Sequence, residues 1–226
     1  PEPAVKHAVI VVHPSGRAFT RLMADTYVAA VKALGHEVLV RDLYAMNFDP
    51  RLHVDELPSR DGGEPRPEIV IERAMLRDTD VFAFFYPIWF GSPPAMLKGY
   101  IERVFGAGFG YASVKGGGNA PLLTGRRMIS FTSTGSENTW LVDSGSWNAV
   151  RKVFNDRLTS ACGLESVEHV NFGGVDADMP PGRVEEAVGE VRDVVAEVFP
   201  AAPRPPVKPA GGAGTRRRTV RSRTSR

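Results

Sequence analysis

The chain has 226 residues, of which 42% are hydrophobic and 24% charged, as is usual for a globular protein. This length is enough for one well-cored α/β domain and marginal for two. The single cysteine, Cys162, excludes a disulfide framework within the chain and a multi-cysteine metal site, and we expect it to act as a small buried hydrophobe. The first apolar run is too short for a signal peptide, and no segment approaches the roughly 20 apolar residues of a membrane span. We therefore expect a cytoplasmic protein.

The formal net charge of +2 conceals a basic C-terminal tail. Residues 201–226 contain eight Arg or Lys residues and no Asp or Glu, which leaves 20 basic and 26 acidic residues in the rest of the chain. We therefore predict a folded domain over residues 1–200 and a disordered tail over residues 201–226. Such a tail could contact nucleic acid or anionic lipid, although a solvated extension is the simpler interpretation. The folded body, with a charge of about −6 by this count, is not expected to bind nucleic acid.

Strand and helix patterns alternate five times along the chain. Short apolar runs, typical of strands buried on both faces, alternate with apolar residues at helical spacing. The predicted strands are residues 7–12, a strand beginning at 37–40, and residues 81–86, 128–132 and 166–172; the predicted helices are residues 19–34, 68–77, 94–105, 146–162 and 182–199. Gly35 and Gly163 stand where helix C-terminal glycines belong. Residues 47–67 are predicted to be a long loop and residues 106–118 a glycine-rich loop.

This alternation predicts an α/β fold with a doubly wound, flavodoxin-like parallel sheet of five strands, in the order 2-1-3-4-5, with helices on both faces. Ligands of such sheets bind beyond the carboxyl ends of the strands, where the strand order reverses. In this order the reversal lies between the first and third strands. The loops after the first, third and fourth strands are therefore the places to look for chemistry.

The first of these loops, residues 13–20 (HPSGRAFT), joins a strand to the start of a long helix. Helix N-termini bind anions, and Ser15, Arg17 and Thr20 could add hydrogen bonds to a phosphate. The loop has neither the GxGxxG nor the GxxxxGK[ST] pattern, and the five histidines of the chain have no metal-ligand spacing, so no metal site is predicted. A capped helix start without a ligand explains the loop equally well.

The second loop, residues 86–94 (YPIWFGSPP), holds a Trp–Phe pair in a proline-bounded turn after the most apolar strand. A flat apolar ring system, such as an isoalloxazine, could rest against this turn. Aromatic packing beneath a loop, or a subunit interface, would explain the same residues.

The third loop, residues 132–139 (TSTGSENT), is small and polar, which allows its backbone to approach a ligand closely. A plain helix-capping loop is an equally good explanation. The three loops together indicate a ligand site more strongly than any one of them, because the topology places them at one edge of the sheet.

Three segments carry a resemblance to a known family: residues 42–50 (DLYAMNFDP), residues 86–105 (YPIWFGSPPAMLKGYIERVF), and the histidine-led loop that ends in Phe19–Thr20. In these segments the chain resembles the flavodoxin-like NAD(P)H dehydrogenase (quinone) family. The resemblance extends over about residues 5–200, with the matching segments in the same order along the chain. The resemblance implies a homodimer that binds FAD or FMN without a covalent bond. It also implies an enzyme that passes a hydride from NAD(P)H, through the flavin, to a small quinone-like acceptor by ping-pong kinetics.

Matching positions imply site residues in this chain. The ribityl-phosphate and adenine side of the flavin would contact His13, Arg17, Phe19 and Thr20. The isoalloxazine would contact Pro87, Ile88, Trp89 and Phe90. The pyrimidine edge would contact Thr132, Ser133, Thr134 and Gly135.

The chain departs from the family in the loop after the fourth strand. Where the mammalian enzymes carry a Tyr and a His, this chain has Trp140 and Ser146, neither of which supplies an ionisable group. These changes put the acceptor range and the rate in doubt more than flavin binding. We expect Trp140 to close over the flavin ring as the catalytic residue of this loop.

Three other functions fit the same sequence. The chain could be a flavodoxin-like carrier of single electrons, a regulatory flavodoxin-like subunit of a potassium-efflux system, or an interaction module whose flavin site is degenerate. The sequence alone does not choose between FAD and FMN or between NADH and NADPH, although His13 and Phe19 favour FAD.

Overall fold

The structure of the chain is a computed structural model that describes residues 4–57, 63–114 and 118–202. The basic tail beyond residue 202 and the centres of the two long loops, residues 58–62 and 115–117, lie outside these ranges. The elements in chain order are β1 (Lys6–Val11), α1 (Phe19–Ala33), β2 (Glu37–Asp42), α2 (Pro67–Leu76), β3 (Val81–Pro87), α3 (Ala95–Val104), β4 (Tyr111–Ser113), β5 (Asn119–Pro121), β6 (Arg127–Ser133), α4 (Asn138–Asp143), α5 (Ser146–Val150), α6 (Arg157–Cys162), β7 (Glu165–Phe172) and α7 (Pro181–Val198).

Five parallel strands form the central sheet in the order β2-β1-β3-β6-β7. Because β6 and β7 are the fourth and fifth strands of this sheet, the predicted order 2-1-3-4-5 is confirmed. The order reverses between β1 and β3, which pair from His7–Val81 to Val11–Phe85. The reversal opens a crevice at the carboxyl edge of these two strands.

Two apolar cores lie on opposite faces of the sheet, as the strand runs predicted. On one face α1 and α7 pack against side chains such as Val9 and Phe85. On the other, α2, α3 and α6 pack against Ile10 and Phe84, and Cys162 is buried there as a free thiol. Every residue of β3 is buried, which is why this strand is apolar throughout rather than alternating.

The glycine-rich loop and the helix after β6 differ from the sequence prediction. Residues 106–118 are not entirely loop, because β4 pairs with β5 as a small antiparallel hairpin. Strands of three residues are too short to produce a periodic signal, so the sequence could not indicate them. The predicted helix 146–162 is present, but its middle, Arg151–Asp156, is π-helical. The short helix α4 was not predicted.

The long loop after β2 is held by a buried ion-pair cluster around Arg103. The Arg103 side chain is fully buried on α3 and donates hydrogen bonds to the Glu56 carboxylate at 2.9–3.1 Å and to the Asp49 backbone oxygen at 2.7 Å. Glu68, on α2, accepts a further bond at 2.6 Å. One guanidinium therefore ties the loop to two helices.

No helix among residues 4–57, 63–114 and 118–202 combines the length and the apolar character needed to cross a membrane. The described chain ends against the first helix: Ala202 N–H donates to Leu34 O, and His36 Nε2 lies 3.0 Å from Pro200 O.

Stability is expected to fall as the pH drops below about 6.5. His7 lies fully buried between Tyr27 and Phe199, and its burial lowers its pKa from 6.5 to about 3. At a pH between these two pKa values, His7 binds a proton in the unfolded chain but not in the folded chain, so the free energy of unfolding falls as the pH falls. At pH 5 the loss from one such histidine is about 2 kcal/mol. Denaturant midpoints at pH 7.5 and pH 5 would measure this loss. His7→Phe should reduce the slope, and an unchanged slope would contradict the assignment.

Candidate functional site

A cavity of about 440 Å³ opens at the carboxyl edge of the sheet, beside the point where the strand order reverses. Its walls come from the loops after β1, β3, β6 and β7. The lining residues are His13, Ser15, Ala18, Phe19, Thr20, Pro87, Ile88, Trp89, Ser133, Thr134, Gly135, Val175, Asp176 and Ala177. This size is in the usual range for small-molecule and cofactor sites.

The first wall is the N-terminus of α1, which has no side-chain cap. Ala18 occupies the N-cap position in an extended conformation, and the first turn contains no acidic residue. No described residue accepts a hydrogen bond from the backbone N–H of Phe19 or Thr20. Uncapped N–H groups at the positive end of a 15-residue helix form a site for an anion such as a phosphate.

The loop before this helix is already folded into shape. His13 Nδ1 accepts the Ser15 N–H at 3.0 Å, and Ser15 Oγ accepts the Arg17 N–H at 3.3 Å. These bonds within residues 13–17 hold the loop in place before any ligand binds, which lowers the entropic cost of binding.

The second wall is an aromatic turn with a strained tip. Trp89 and Ser92 exchange two backbone hydrogen bonds, and between them Phe90 has a φ of +50° and Gly91 a φ of +69°. A positive φ is uncommon for a bulky residue such as Phe90, whose side chain is also fully exposed. The Trp89 ring meets the His13 ring edge-on at 5.7 Å, so this turn touches the first wall.

The third wall is the loop after β6, which is bonded to the loop after β7. Gly174 N–H donates to Ser136 O at 3.1 Å, and Val175 N–H donates to Thr134 O at 2.9 Å. Gly135 has no atom within 4 Å of the place where a side chain would begin, so this side of its backbone is open to a ligand.

Ten of the fourteen predicted site residues line this cavity, and four lie outside its lining. The ten are His13, Ser15, Phe19, Thr20, Pro87, Ile88, Trp89, Ser133, Thr134 and Gly135. Arg17 lies in the first loop but is exposed to solvent, and Phe90 projects from the tip of the second loop. Thr132 is buried beneath the third loop, and Trp140 lies on α4, where its side chain is 58% exposed.

Four lining residues were not predicted from the sequence. Ala18 was missed because an alanine carries no functional group. The absence of a capping side chain before the helix could have indicated it. Val175, Asp176 and Ala177 follow β7 in the segment GGVDA. Their position directly after the fifth strand could have indicated them, since every parallel strand ends at the same edge.

A larger cavity, of about 560 Å³, lies among the C-terminal ends of α2, α3 and α6. Arg73, Phe105 and Cys162 line it. Burial raises the pKa of the Cys162 thiol to about 11, so this sulfur is not a reactive thiolate. The cavity at the carboxyl edge is the better candidate, because it is bordered by uncapped donors and lies at the strand-order reversal.

These observations define the class of the protein: a flavodoxin-like α/β fold with a cavity at the switch point of its sheet. The sequence profile of the Flavodoxin_2 family, described as flavodoxin-like fold, matches residues 5–195. The chain belongs to this family, and its resemblance to the NAD(P)H dehydrogenase (quinone) proteins within it is confirmed.

Three relatives illustrate the likeness. A Haemophilus influenzae protein described as an uncharacterised NAD(P)H oxidoreductase is 32% identical over 172 residues, which cover 76% of this chain and 85% of that protein. The Rattus norvegicus NAD(P)H dehydrogenase (quinone) 1 is 28% identical over 82% of this chain and 75% of its own length. The solved NAD(P)H:quinone oxidoreductase of Methanothermobacter marburgensis superposes with a TM-score of 0.75 at 24% identity, covering 84% of this chain and 97% of that one.

Proposed function

We propose that this chain is a flavin-dependent NAD(P)H oxidoreductase that reduces quinone-like acceptors. One observation carries the proposal: an uncapped helix N-terminus, an aromatic turn and an open polar loop border a single cavity. Membership of a family that includes NAD(P)H dehydrogenases (quinone) supports the same assignment.

The residues present fit a flavin, which is anionic at its phosphate and flat and apolar at its ring. The N–H groups of Phe19 and Thr20, with Ser15, would hold the phosphate. Trp89 and Ile88 would lie against the ring system, and the backbone around Gly135 would donate to its polar edge. FAD and FMN share this phosphate and this ring system, so the proposal covers both.

A flavin bound there would accept a hydride from NAD(P)H and pass it to the acceptor, so that a quinone leaves as a hydroquinone after taking up a proton. The protein would contribute to this reaction by positioning the reactants. The aromatic turn excludes water from one side of the cavity, and the loop after β6 presents backbone donors toward developing negative charge. Because one open cavity would serve the nucleotide and the acceptor in turn, we expect ping-pong kinetics.

A second copy of the chain would complete the cavity in this proposal. Phe90 is fully exposed in a strained backbone conformation, and Trp89 beside it is 42% exposed. Apolar side chains held this way at the rim of a site suit a homodimer interface.

The single cysteine, reduced and buried, agrees with a cytoplasmic location.

The visible spectrum of the purified protein tests the proposal. We expect a yellow protein with flavin absorbance, which NADPH bleaches without oxygen and a quinone restores. Heat release of FAD or FMN would then identify the cofactor. A protein that remains colourless after incubation with FAD and with FMN would contradict the flavin-dependent function and leave the fold alone established.

Trp140 provides a separate prediction about the acceptor. If its indole closes over the flavin ring when substrate is present, Trp140→Ala should raise the Michaelis constant for the acceptor or the nucleotide, whereas Trp140→Phe should retain most of the effect of the ring. Steady-state kinetics of the two variants would measure this difference. Unchanged Michaelis constants in Trp140→Ala would contradict the closure and show that the indole stays exposed on α4 during catalysis.

A further inference from the structure

A chain of side-chain hydrogen bonds runs from the π-helical segment, across the end of β7, to the loop after β6. Asn155 Nδ2 lies 3.0 Å from His169 Nδ1, and His169 Nε2 lies 3.1 Å from Thr132 Oγ1. Thr132 Oγ1 donates to Asn171 Oδ1 at 2.8 Å. Asn171 Nδ2 donates in turn to Thr134 Oγ1 at 3.0 Å and to Asn138 Oδ1 at 2.7 Å.

The direction of this chain determines the protonation of His169. Asn155 directs its Oδ1 to the Tyr86 hydroxyl at 3.5 Å and its Nδ2 to His169 Nδ1. With the amide in this orientation, His169 Nδ1 accepts and carries no proton, because an amide nitrogen only donates. The proton of the neutral ring is then on Nε2, which donates to Thr132 Oγ1. The hydroxyl proton of Thr132 then points away from His169, toward Asn171 Oδ1 at 2.8 Å and Val170 O at 3.2 Å, of which Asn171 is the nearer acceptor.

His169 is kept neutral by its surroundings. Burial, and to a lesser degree the positive charge of Arg151, lower its pKa from 6.5 to about 3. The ring of Trp147 packs against the half-buried His169 with the centroids 4.6 Å apart and the planes tilted by 57°. Both rings line a third cavity, of about 420 Å³, at the open edge of β7. A protonated ring could not accept the bond from Asn155.

The far end of the chain holds the loop that lines the candidate flavin site. Asn171 reaches Thr134 and Asn138, and Asn138 Nδ2 returns a bond to Asn171 O at 2.8 Å. Thr134 Oγ1 then donates to Ser136 O at 2.9 Å. Residues 134–138 are thus tied to β7 and the loop after it by side chains in addition to three backbone bonds, with Phe172, Gly174 and Val175.

We propose that His169 is a positioning residue that, as the Nε2-protonated neutral ring, holds the loop of residues 134–138 in the conformation that receives the polar edge of the flavin. The inference rests on the proposed function, because it assigns this loop to flavin binding. His169 itself does not line the flavin cavity, so it acts through Thr132 and Asn171.

A matched pair of substitutions tests the role. His169→Gln keeps a donor near the former Nε2, whereas His169→Leu removes it at similar volume. We expect His169→Leu and Thr132→Val to weaken flavin binding about tenfold, the effect of losing roughly one hydrogen bond, and His169→Gln to restore most of it. Leu76→Ala, a buried change at the end of α2 that makes none of these hydrogen bonds, serves as the control that lowers stability without changing the flavin dissociation constant.

Two measurements on the flavin-free protein separate this inference from the proposed function. Nitrogen-15 NMR of the imidazole should show a proton on Nε2 and none on Nδ1. Amide exchange over residues 134–138 should accelerate in His169→Leu but not in His169→Gln. These results together with absent flavin binding would contradict the proposed function alone. A proton on Nδ1, or a loop unaffected by His169→Leu, would overturn the role of His169.

Discussion

Replacing Ala18 with aspartate is expected to stabilise the flavin-free protein and to weaken flavin binding by roughly 100-fold. Ala18 occupies the N-cap of α1 without capping it, and it lines the candidate cavity. An aspartate at an N-cap satisfies a free N–H and adds about 1 kcal/mol to stability. The same carboxylate would occupy the donors offered to the phosphate and repel its charge. The melting temperature of the flavin-free protein should therefore rise, while its affinity for flavin falls.

Ala18→Asn is the control for this experiment. Asparagine caps the helix as well as aspartate does but carries no charge, so its stability gain should be similar and its loss of affinity much smaller. Equal flavin affinities for the two variants would show that the phosphate does not lie at the N-terminus of α1. Because the stability of the flavin-free protein reports the capping itself, a variant that fails to cap is recognised independently of binding.

Replacing Arg103 with leucine is expected to lower the free energy of unfolding by about 3–5 kcal/mol, the usual cost of leaving a buried charge without its partner. The substitution would leave the Glu56 carboxylate, which is 4% exposed, without its ion-pair partner and the Asp49 carbonyl without its hydrogen-bond donor. Chemical denaturation followed by circular dichroism would measure the loss. Arg103→Lys should recover only part of it, because an ammonium cannot reproduce the paired guanidinium bonds.

Arg51 provides the comparison for Arg103. Its side chain is 78% exposed and pairs with Asp49 at 2.8 Å, so Arg51→Leu should leave the free energy of unfolding nearly unchanged. A small effect at Arg103 as well would mean that the long loop after β2 is not held by the ion-pair cluster. A loss confined to Arg103 would show that burial, rather than the number of ion pairs, determines their contribution.

The site was partly predictable because its loops follow strands that the sequence identifies. The residues 81–86 are all apolar, which only a strand buried on both faces requires, and the aromatic turn follows directly. Once β1, β3 and β6 are recognised as parallel neighbours, their following loops must meet at one edge. The topology thus predicted that the loops containing His13, Trp89 and Gly135 meet, and the family resemblance singled out these residues within them. The cavity brings all three together.

By itself, the sequence determined the five strands, their order and the edge that carries the candidate site, because hydrophobic periodicity and right-handed crossovers leave few alternatives. Only the tertiary structure decided which partners meet across long separations, such as Arg103 with Glu56 and His169 with Asn155 and Thr132. A lone arginine or histidine has no local pattern, and its partner, its burial and its protonation depend on the packing of distant elements.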